Sequence, residues 1–260
     1  HITSSYEYET IALMGTNLGL VDPDVVAKLD YLADDIGLDT IELGAAMGVA
    51  ASAGMMKMGD AASALALLDE IEKETKLGLM LANGVEETAR KLGIDRIPAY
   101  KGQAVPAHDP RITKPTGVSF STSPMGADHT AGLSYDDFSN KDGQIDRSLA
   151  SQVFSAVRDA TGYCLLATPA DDKVLLAFLK DLINARYSLN ISETDLIEIG
   201  KETLKNELAF NKGSEFYSVH EPDPEFMRNE PIGPNSTVFD VDPAEIQTLW
   251  DKLDSYTLEN

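Results

Sequence analysis

Two short stretches of this sequence carry residues that could grip a ligand. Asp34-Asp35-Ile36-Gly37-Leu38-Asp39 and Asp159-Ala160-Thr161-Gly162-Tyr163-Cys164 share the pattern Asp-x-x-Gly-x-(Asp/Cys), and each sits at the end of a predicted amphipathic helix. An aspartate in the last turn opposes the partial negative charge of the helix terminus, which costs about 0.3–1 kcal/mol. One such aspartate is an ordinary helix end. Two in the same frame point to carboxylates kept as acceptors for a ligand with N–H donors, against the alternative of coincidence between short motifs. Other chemistry-bearing residues read more plainly. His108 and Arg111 flank Asp109-Pro110, a turn-forming pair, so a structural turn with an arginine anchor is the default. Cys164, taken alone, is a small hydrophobe. The sequence has no zinc-type Cys/His cluster, no phosphate-cradling glycine loop and no Ser/His/Asp motif. Gly15-Thr16-Asn17-Leu18-Gly19 is too loose for a dinucleotide fingerprint.

The elements that must position these residues are mostly helices. Asp22-Pro23 supplies a capping acceptor and a first-turn proline, and Val25, Leu29, Leu32 and Ile36 form one apolar stripe that stops at Gly37. Residues 41–58, rich in Ala, Gly and Met, read as one tightly packed buried helix, with Met47, Met55, Met56 and Met58 as adaptable core. Asp60 opens another helix with Ala64, Leu67, Leu68 and Ile71 inward, and residues 77–92 continue to Gly93. Residues 97–124 lose helical spacing and read as a long loop or short extended pieces, with a domain boundary near residue 112. Helices are expected again over 146–161, 171–187 and 192–208, the last opened by the box-like Ser192-Glu193-Thr194-Asp195. Residues 212–236 read as irregular, and Asp242-Pro243 starts a final short helix through Leu253. The fold class is therefore mainly α, in two helical domains, residues 1–112 and 113–260.

Charge narrows the partners. Asp and Glu number 43 against 21 Lys and Arg, a formal charge of −22 over 260 residues. Such a surface repels phosphates, so nucleic acid and anionic membrane are both excluded as expected partners. No apolar run reaches the roughly 18 residues of a membrane-spanning helix. A single cysteine excludes an internal disulfide and suits a reducing, cytoplasmic setting. The first residue is His1, so the natural start is expected upstream.

The doubled motif resembles the cofactor-binding motif of the aldehyde:ferredoxin oxidoreductases, and an ordered series of segments extends the likeness over almost the whole chain. Tyr8-Glu9-Thr10 with Gly15-Thr16-Asn17 resembles the family's segment after its first cysteine cluster. Lys101-Gly102 and Pro106-Ala107-His108-Asp109-Pro110-Arg111 resemble its interdomain loop, and Gly126-Ala127-Asp128-His129 its active-site histidine segment. Phe210-Asn211 and Phe239-Asp240-Val241-Asp242 resemble stretches near its C-terminus.

The resemblance implies a fold of the family's second and third, largely helical, domains, without the N-terminal pterin-binding domain. It implies a tungsten (or molybdenum) ion between two pterin dithiolenes beside a 4Fe-4S cluster. Asp34 and Asp159 would each hydrogen-bond one pterin, with Gly37, Leu38, Gly162 and Tyr163 at the cofactor, and both helix ends would face one cleft. Many family members carry Leu at the position of Tyr163. Cys164 would be the fourth cluster ligand, and one cysteine cannot hold a four-iron cluster by itself. Glu9 and His129 would touch substrate, the glutamate as base for an attacking water and the histidine as donor to a carbonyl oxygen. The implied reaction oxidises an aldehyde to a carboxylic acid and passes electrons to ferredoxin, in an anaerobic setting. An uncovered cofactor cleft would expose apolar surface for a homodimer. Two rivals stay open: a relative with other chemistry, such as a carboxylate or aromatic-ring reductase subunit, and a cofactor-free helical binding module.

Overall fold

The structure, a computed structural model, describes residues 7–134, 142–167, 171–214 and 222–258. The described chain is mainly helical, with one two-stranded antiparallel hairpin. It forms two compact units, His1–Asp109 with Pro222–Glu230 and Pro110–Glu221 with Pro231–Asn260. No helix among the described residues is long and apolar enough to cross a membrane.

The first unit opens with α1 (Tyr8–Thr10), which runs on through a π-helical turn, Ile11–Gly15. Helix α2 (Pro23–Ile36) starts as the sequence predicts, the Asp22 side chain accepting from Asp24 N–H with Pro23 in the first turn. Helix α3 (Thr40–Ser52) is shorter than the expected 41–58, because Ala53 closes it and Gly54 turns the chain at φ 78°. The methionines divide accordingly. Met47 and Met56 are buried, whereas Met55 and Met58 are about half exposed, at 48% and 50%.

Helices α4 (Ala61–Glu72), α5 (Lys76–Ala82) and α6 (Gly84–Leu92) follow. The expected single helix over 77–92 is broken at Gly84, φ 91°, where the next amide, Val85 N–H, is given to Glu42 Oε1 at 2.6 Å. The other oxygen of Glu42 accepts Ala104 N–H at 2.8 Å. One carboxylate on α3 thus ties down both the start of α6 and the hairpin of β1 (Ala99–Tyr100) and β2 (Gln103–Ala104). The core is built from Met14, Leu18, Leu29, Met47, Leu68 and Leu81, among others.

In the second unit the largest departure from the sequence reading is α7 (Lys114–Thr122), a helix inside the stretch expected to be loop. Each of its residues is buried, so it has no polar face and no 3.6-residue apolar stripe for periodicity to reveal. The hydroxyls of Ser119 and Thr122 are satisfied internally. Thr122 bonds Val118 O at 2.7 Å, Ser119 Oγ lies 2.8 Å from Ser148 Oγ, and Gln152 donates to Thr122 Oγ1 at 3.0 Å. The last two contacts join α7 to α8 (Gln144–Thr161).

Helix α9 (Asp172–Tyr187) and α10 (Glu193–Asn211) complete the bundle, and Ser192 and Asp195 form the expected capping box. Residues 215–221 of the stretch read as irregular lie outside the described residues. Within the remainder of that stretch, α11 (Glu225–Asn229) is helical and belongs to the first unit. Helix α12 (Pro243–Ile246) and a 3-10 turn, Leu249–Lys252, replace the one continuous helix expected to Leu253. Buried Lys201 holds the chain end, donating to Asp254 O at 3.0 Å and Tyr256 O at 3.3 Å.

Candidate functional site

Glu9 is placed by close backbone packing. A Cβ on Gly44 would lie 2.7 Å from the Leu13 carbonyl carbon and oxygen, so only glycine on α3 lets the turn after Glu9 seat there. Asn17 Nδ2 spans the same contact, donating to Leu13 O at 3.3 Å and Gly44 O at 3.1 Å. Thr10 Oγ1 and Thr40 Oγ1, 2.9 Å apart, fix the other side of α1. The result is a glutamate side chain 2% exposed.

The Glu9 carboxylate meets the proline-rich loop. Its Oε2 accepts Ala107 N–H at 2.7 Å, and its Oε1 lies 3.1 Å from His108 Nε2. Tyr8 takes hold of the same two residues. Its hydroxyl donates to Ala107 O at 3.2 Å, and its ring centroid stands 5.6 Å from the His108 imidazole, tilted 39°. His108 N–H closes a tight turn onto Pro106 O at 2.7 Å. His108 is buried, at 8% exposure. From its sequence context it is a turn residue. That context gives no signal of the pairing, because the partner lies almost the full length of the unit away. Arg111, its companion in that context, is buried in the second unit.

The two Asp-x-x-Gly motifs close in the same way, one in each unit. At the end of α2, Gly37 at φ 86° donates to Ala33 O at 2.9 Å and Asp34 O at 3.1 Å, and Leu38 N–H reaches back to Ala33 O at 2.9 Å. At the end of α8, Gly162 at φ 70° donates to Arg158 O and Asp159 O, and Tyr163 N–H reaches Arg158 O at 3.0 Å. This is the left-handed glycine cap with its six-to-one bond. It places Asp34 and Asp159 at equivalent positions. Both residues are on the surface. Among the described residues nothing lies within 4 Å of where a Cβ would stand on either glycine, which leaves room for a ligand at the backbone there.

The second motif has a distinct electrostatic setting. Partial burial pushes the Asp159 carboxyl up from its ordinary value; Arg158 pulls it back and Asp128 adds to the rise. Glu207 on α10 is raised by burial and by Asp159. Glu207 also lines an open groove of about 490 Å³ with Pro124, Met125, Asn206, Phe210 and Asn211. Tyr163 donates its hydroxyl to Ala167 O at 2.8 Å and packs edge-on against Phe178 at 5.8 Å. Cys164 is exposed and forms no disulfide.

His129, half-buried, opens a 3-10 turn whose start is capped by Asp128, which accepts Thr130 N–H and Thr130 Oγ1–H, both at 2.7 Å. The first unit therefore holds Glu9, Asp34, Gly37 and Leu38, and the second His129, Asp159, Gly162, Tyr163 and Cys164.

A family profile described as aldehyde ferredoxin oxidoreductase, domains 2 & 3, matches residues 2–253. The tungsten-containing aldehyde ferredoxin oxidoreductase of Pyrococcus horikoshii is 28% identical over 80% of this chain and 39% of its own length. That of Pyrococcus abyssi is 27% identical over 90% of this chain and 43% of its own length. An aliphatic sulfonate oxidoreductase, WOR-like subunit, of Pyrococcus furiosus is 34% identical over 50% of this chain and 24% of its own length. The chain spans about two fifths of the length of the aldehyde ferredoxin oxidoreductases it matches.

Proposed function

We propose a function from one premise: the chain belongs to the aldehyde ferredoxin oxidoreductase family, a family of oxidoreductases. The reading is that it supplies the helical domains, 1–112 as domain 2 and 113–260 as domain 3, of an enzyme that oxidises aldehydes to carboxylic acids. The overall change is R-CHO plus water to R-COOH, two protons and two electrons. The observation that carries the reading is the doubled helix end, in which two aspartates occupy equivalent positions before left-handed glycines.

Both ends fit a pterin. Neither Asp34 nor Asp159 accepts a side-chain hydrogen bond among the described residues, and each glycine leaves its backbone open. Asp34 with Gly37 and Leu38 would hold one pterin, and Asp159 with Gly162 and Tyr163 the other. A carboxylate is the acceptor that the N–H edge of a pterin requires. When bound, the tungsten or molybdenum bis-pterin supplies the two-electron acceptor. This chain does not by itself fit a 4Fe-4S cluster, since it offers one thiolate, Cys164, where four ligands are needed. Cluster and ferredoxin belong to the reading of the full-length protein, and no step here runs through them.

The residues of this chain do the proton work. Glu9 would take a proton from the attacking water, and its burial excludes competing solvent. His129 would donate to the carbonyl oxygen as negative charge develops there. The acidic surface and the single cysteine favour a cytoplasmic protein.

The test is an anaerobic assay of the full-length protein with aldehydes and a viologen dye, beside tungsten and molybdenum analysis. Aldehyde-dependent dye reduction with a bound metal is the expected result. A metal-loaded protein that turns over no aldehyde would move the reading to a relative with other substrates, a second reading favoured by the similarity to the sulfonate oxidoreductase subunit. Absence of both metals would move it to a cofactor-free module.

A further inference from the structure

We infer that Asp223 is a positioning residue: from a segment distant in the chain it latches the hairpin of β1 and β2, and with it the backbone amide that faces Glu9. The consequence for turnover rests on the reading of Glu9 as the base. The latch itself does not, because it consists of contacts within the first unit.

The hairpin needs support from outside itself. Each strand has two residues, and a two-stranded hairpin is marginal by itself in water. Glu42 holds one strand by accepting Ala104 N–H at 2.8 Å. The other strand meets residues 222–230, which rejoin the first unit after the whole of residues 110–221. Tyr100 of β1 is fully buried. Its hydroxyl donates to Asp223 Oδ1 at 3.2 Å and lies 3.8 Å from Met227 Sδ on α11. From Ala104 the chain passes through Val105, whose N–H closes on Pro98 O at 2.8 Å, to Ala107, whose N–H meets Glu9 Oε2 at 2.7 Å.

The grip of Asp223 is specific. Its side chain is 5% exposed. One oxygen takes the Tyr100 hydroxyl, and the other accepts Nε of Arg228 at 2.9 Å together with Nη2 of the same guanidinium. One carboxylate therefore joins the hairpin to α11. Burial raises the Asp223 carboxyl from its ordinary value, and Arg228 and Tyr100 pull it back. A second contact lies at the other end of α11. Arg96, just before β1, donates Nε and Nη2 to Glu230 Oε2 at 3.1 and 2.9 Å, and its guanidinium stands 3.9 Å over the Phe226 ring. Both side chains of that ion pair are half exposed, so the pair contributes little. The buried carboxylate is the stronger anchor, because removing it leaves Arg228 and the Tyr100 hydroxyl without this acceptor in a site poor in water.

The experiment measures hydrogen exchange at single amides, and turnover with aldehyde, in the full-length holoenzyme. Asp223→Leu removes both acceptors at similar bulk, and Tyr100→Phe removes one hydroxyl. Leu68→Ala, in the core of the same unit, is the control for stability lost elsewhere. The expected result is exchange at the amides of Ala104, Val105 and Ala107 about tenfold or more faster in Asp223→Leu than in Leu68→Ala. Tyr100→Phe gives the same pattern at about threefold and decides the matter where Asp223→Leu does not fold. Equal exchange at these amides in the latch variants and the control overturns the proposal, since Asp223 would then contribute to stability alone. In turnover, kcat falls about fivefold or more in Asp223→Leu with KM within about twofold, and Leu68→Ala keeps the kcat of the unsubstituted enzyme. Local acceleration of exchange with an unchanged kcat would refute Glu9 as the base and leave the latch standing.

Discussion

Glu9 Oε1 stands 3.1 Å from His108 Nε2, with both side chains buried and the neighbouring amide of Ala107 bound to the second carboxylate oxygen. Under the proposed function Glu9 is the base, and that role is measurable.

Glu9→Gln keeps the size of the side chain and its contact with Ala107 but removes the base. General-base catalysis contributes about 10²–10⁴ in rate. The expected outcome is a fall of about 10²-fold or more in kcat for aldehyde oxidation by the full-length enzyme, with an unchanged circular dichroism spectrum. Activity within tenfold of the unsubstituted enzyme would remove Glu9 from the chemistry.

Asp34→Asn and Asp159→Asn each replace a charged acceptor by a neutral amide that also presents donors. A hydrogen bond to a charged group contributes about 1.5–3 kcal/mol. Each substitution should therefore weaken pterin retention by about 10–100-fold, read as pterin and metal recovered per chain after gel filtration. Asp35→Asn, one residue along and outside the equivalent position, serves as the control and should retain full occupancy. Equal losses in all three variants would refute the assignment.

The same Asp159 substitution should act in the opposite direction on the cofactor-free fold. Burial raises the Asp159 carboxyl above its ordinary value, so the folded state binds its proton more tightly than the unfolded state. Stability is then greatest below the ordinary carboxylate range and is lost as pH rises through the raised value. The helix end adds to the penalty on the ionised form. Asp159→Asn is expected to raise Tm by about 1–3 °C at neutral pH and to change it little below about pH 3.5, where the native side chain is already neutral. Thermal melts at the two pH values check this.

Glu42→Gln tests the carboxylate that ties α6 to the hairpin. The carboxylate accepts Val85 N–H at 2.6 Å and Ala104 N–H at 2.8 Å through separate oxygens. An amide can accept only one of these and turns an N–H₂ toward the other. The expected cost is about 2 kcal/mol, a fall in Tm of roughly 4–8 °C, read by thermal or urea denaturation.

Gly44→Ala places a methyl group 2.7 Å from the Leu13 backbone. Relieving that overlap must move the turn that carries Glu9. A destabilisation of about 1–3 kcal/mol is expected, together with a fall in kcat larger than that of a surface glycine variant such as Gly54→Ala. A crystal structure of the variant with Glu9 undisplaced would separate the two effects.

What the sequence by itself determined is local. The capping aspartate before Pro23, the Ser192–Asp195 box and the closures at Gly37 and Gly162 depend on bonds between residues no more than five apart, so their types and spacing suffice. The mainly helical class and the equivalence of Asp34 with Asp159 follow from the same short range.

Tertiary structure decided what depends on residues distant in the chain. Helix α7 is invisible to periodicity because each of its faces is buried, and the hydroxyls of Ser119 and Thr122 meet Ser148 and Gln152 of α8. The break in the expected helix at Gly84 comes from a carboxylate on α3, and the exposure of Met55 and Met58 follows from where α3 ends. The partner of Glu9 was the least legible feature. His108 in its proline loop has the composition of a turn, and only the folding of α1 against α3 at Gly44 brings a carboxylate to its Nε2. Contacts of that kind are set by packing in three dimensions, and no spacing along the chain encodes them.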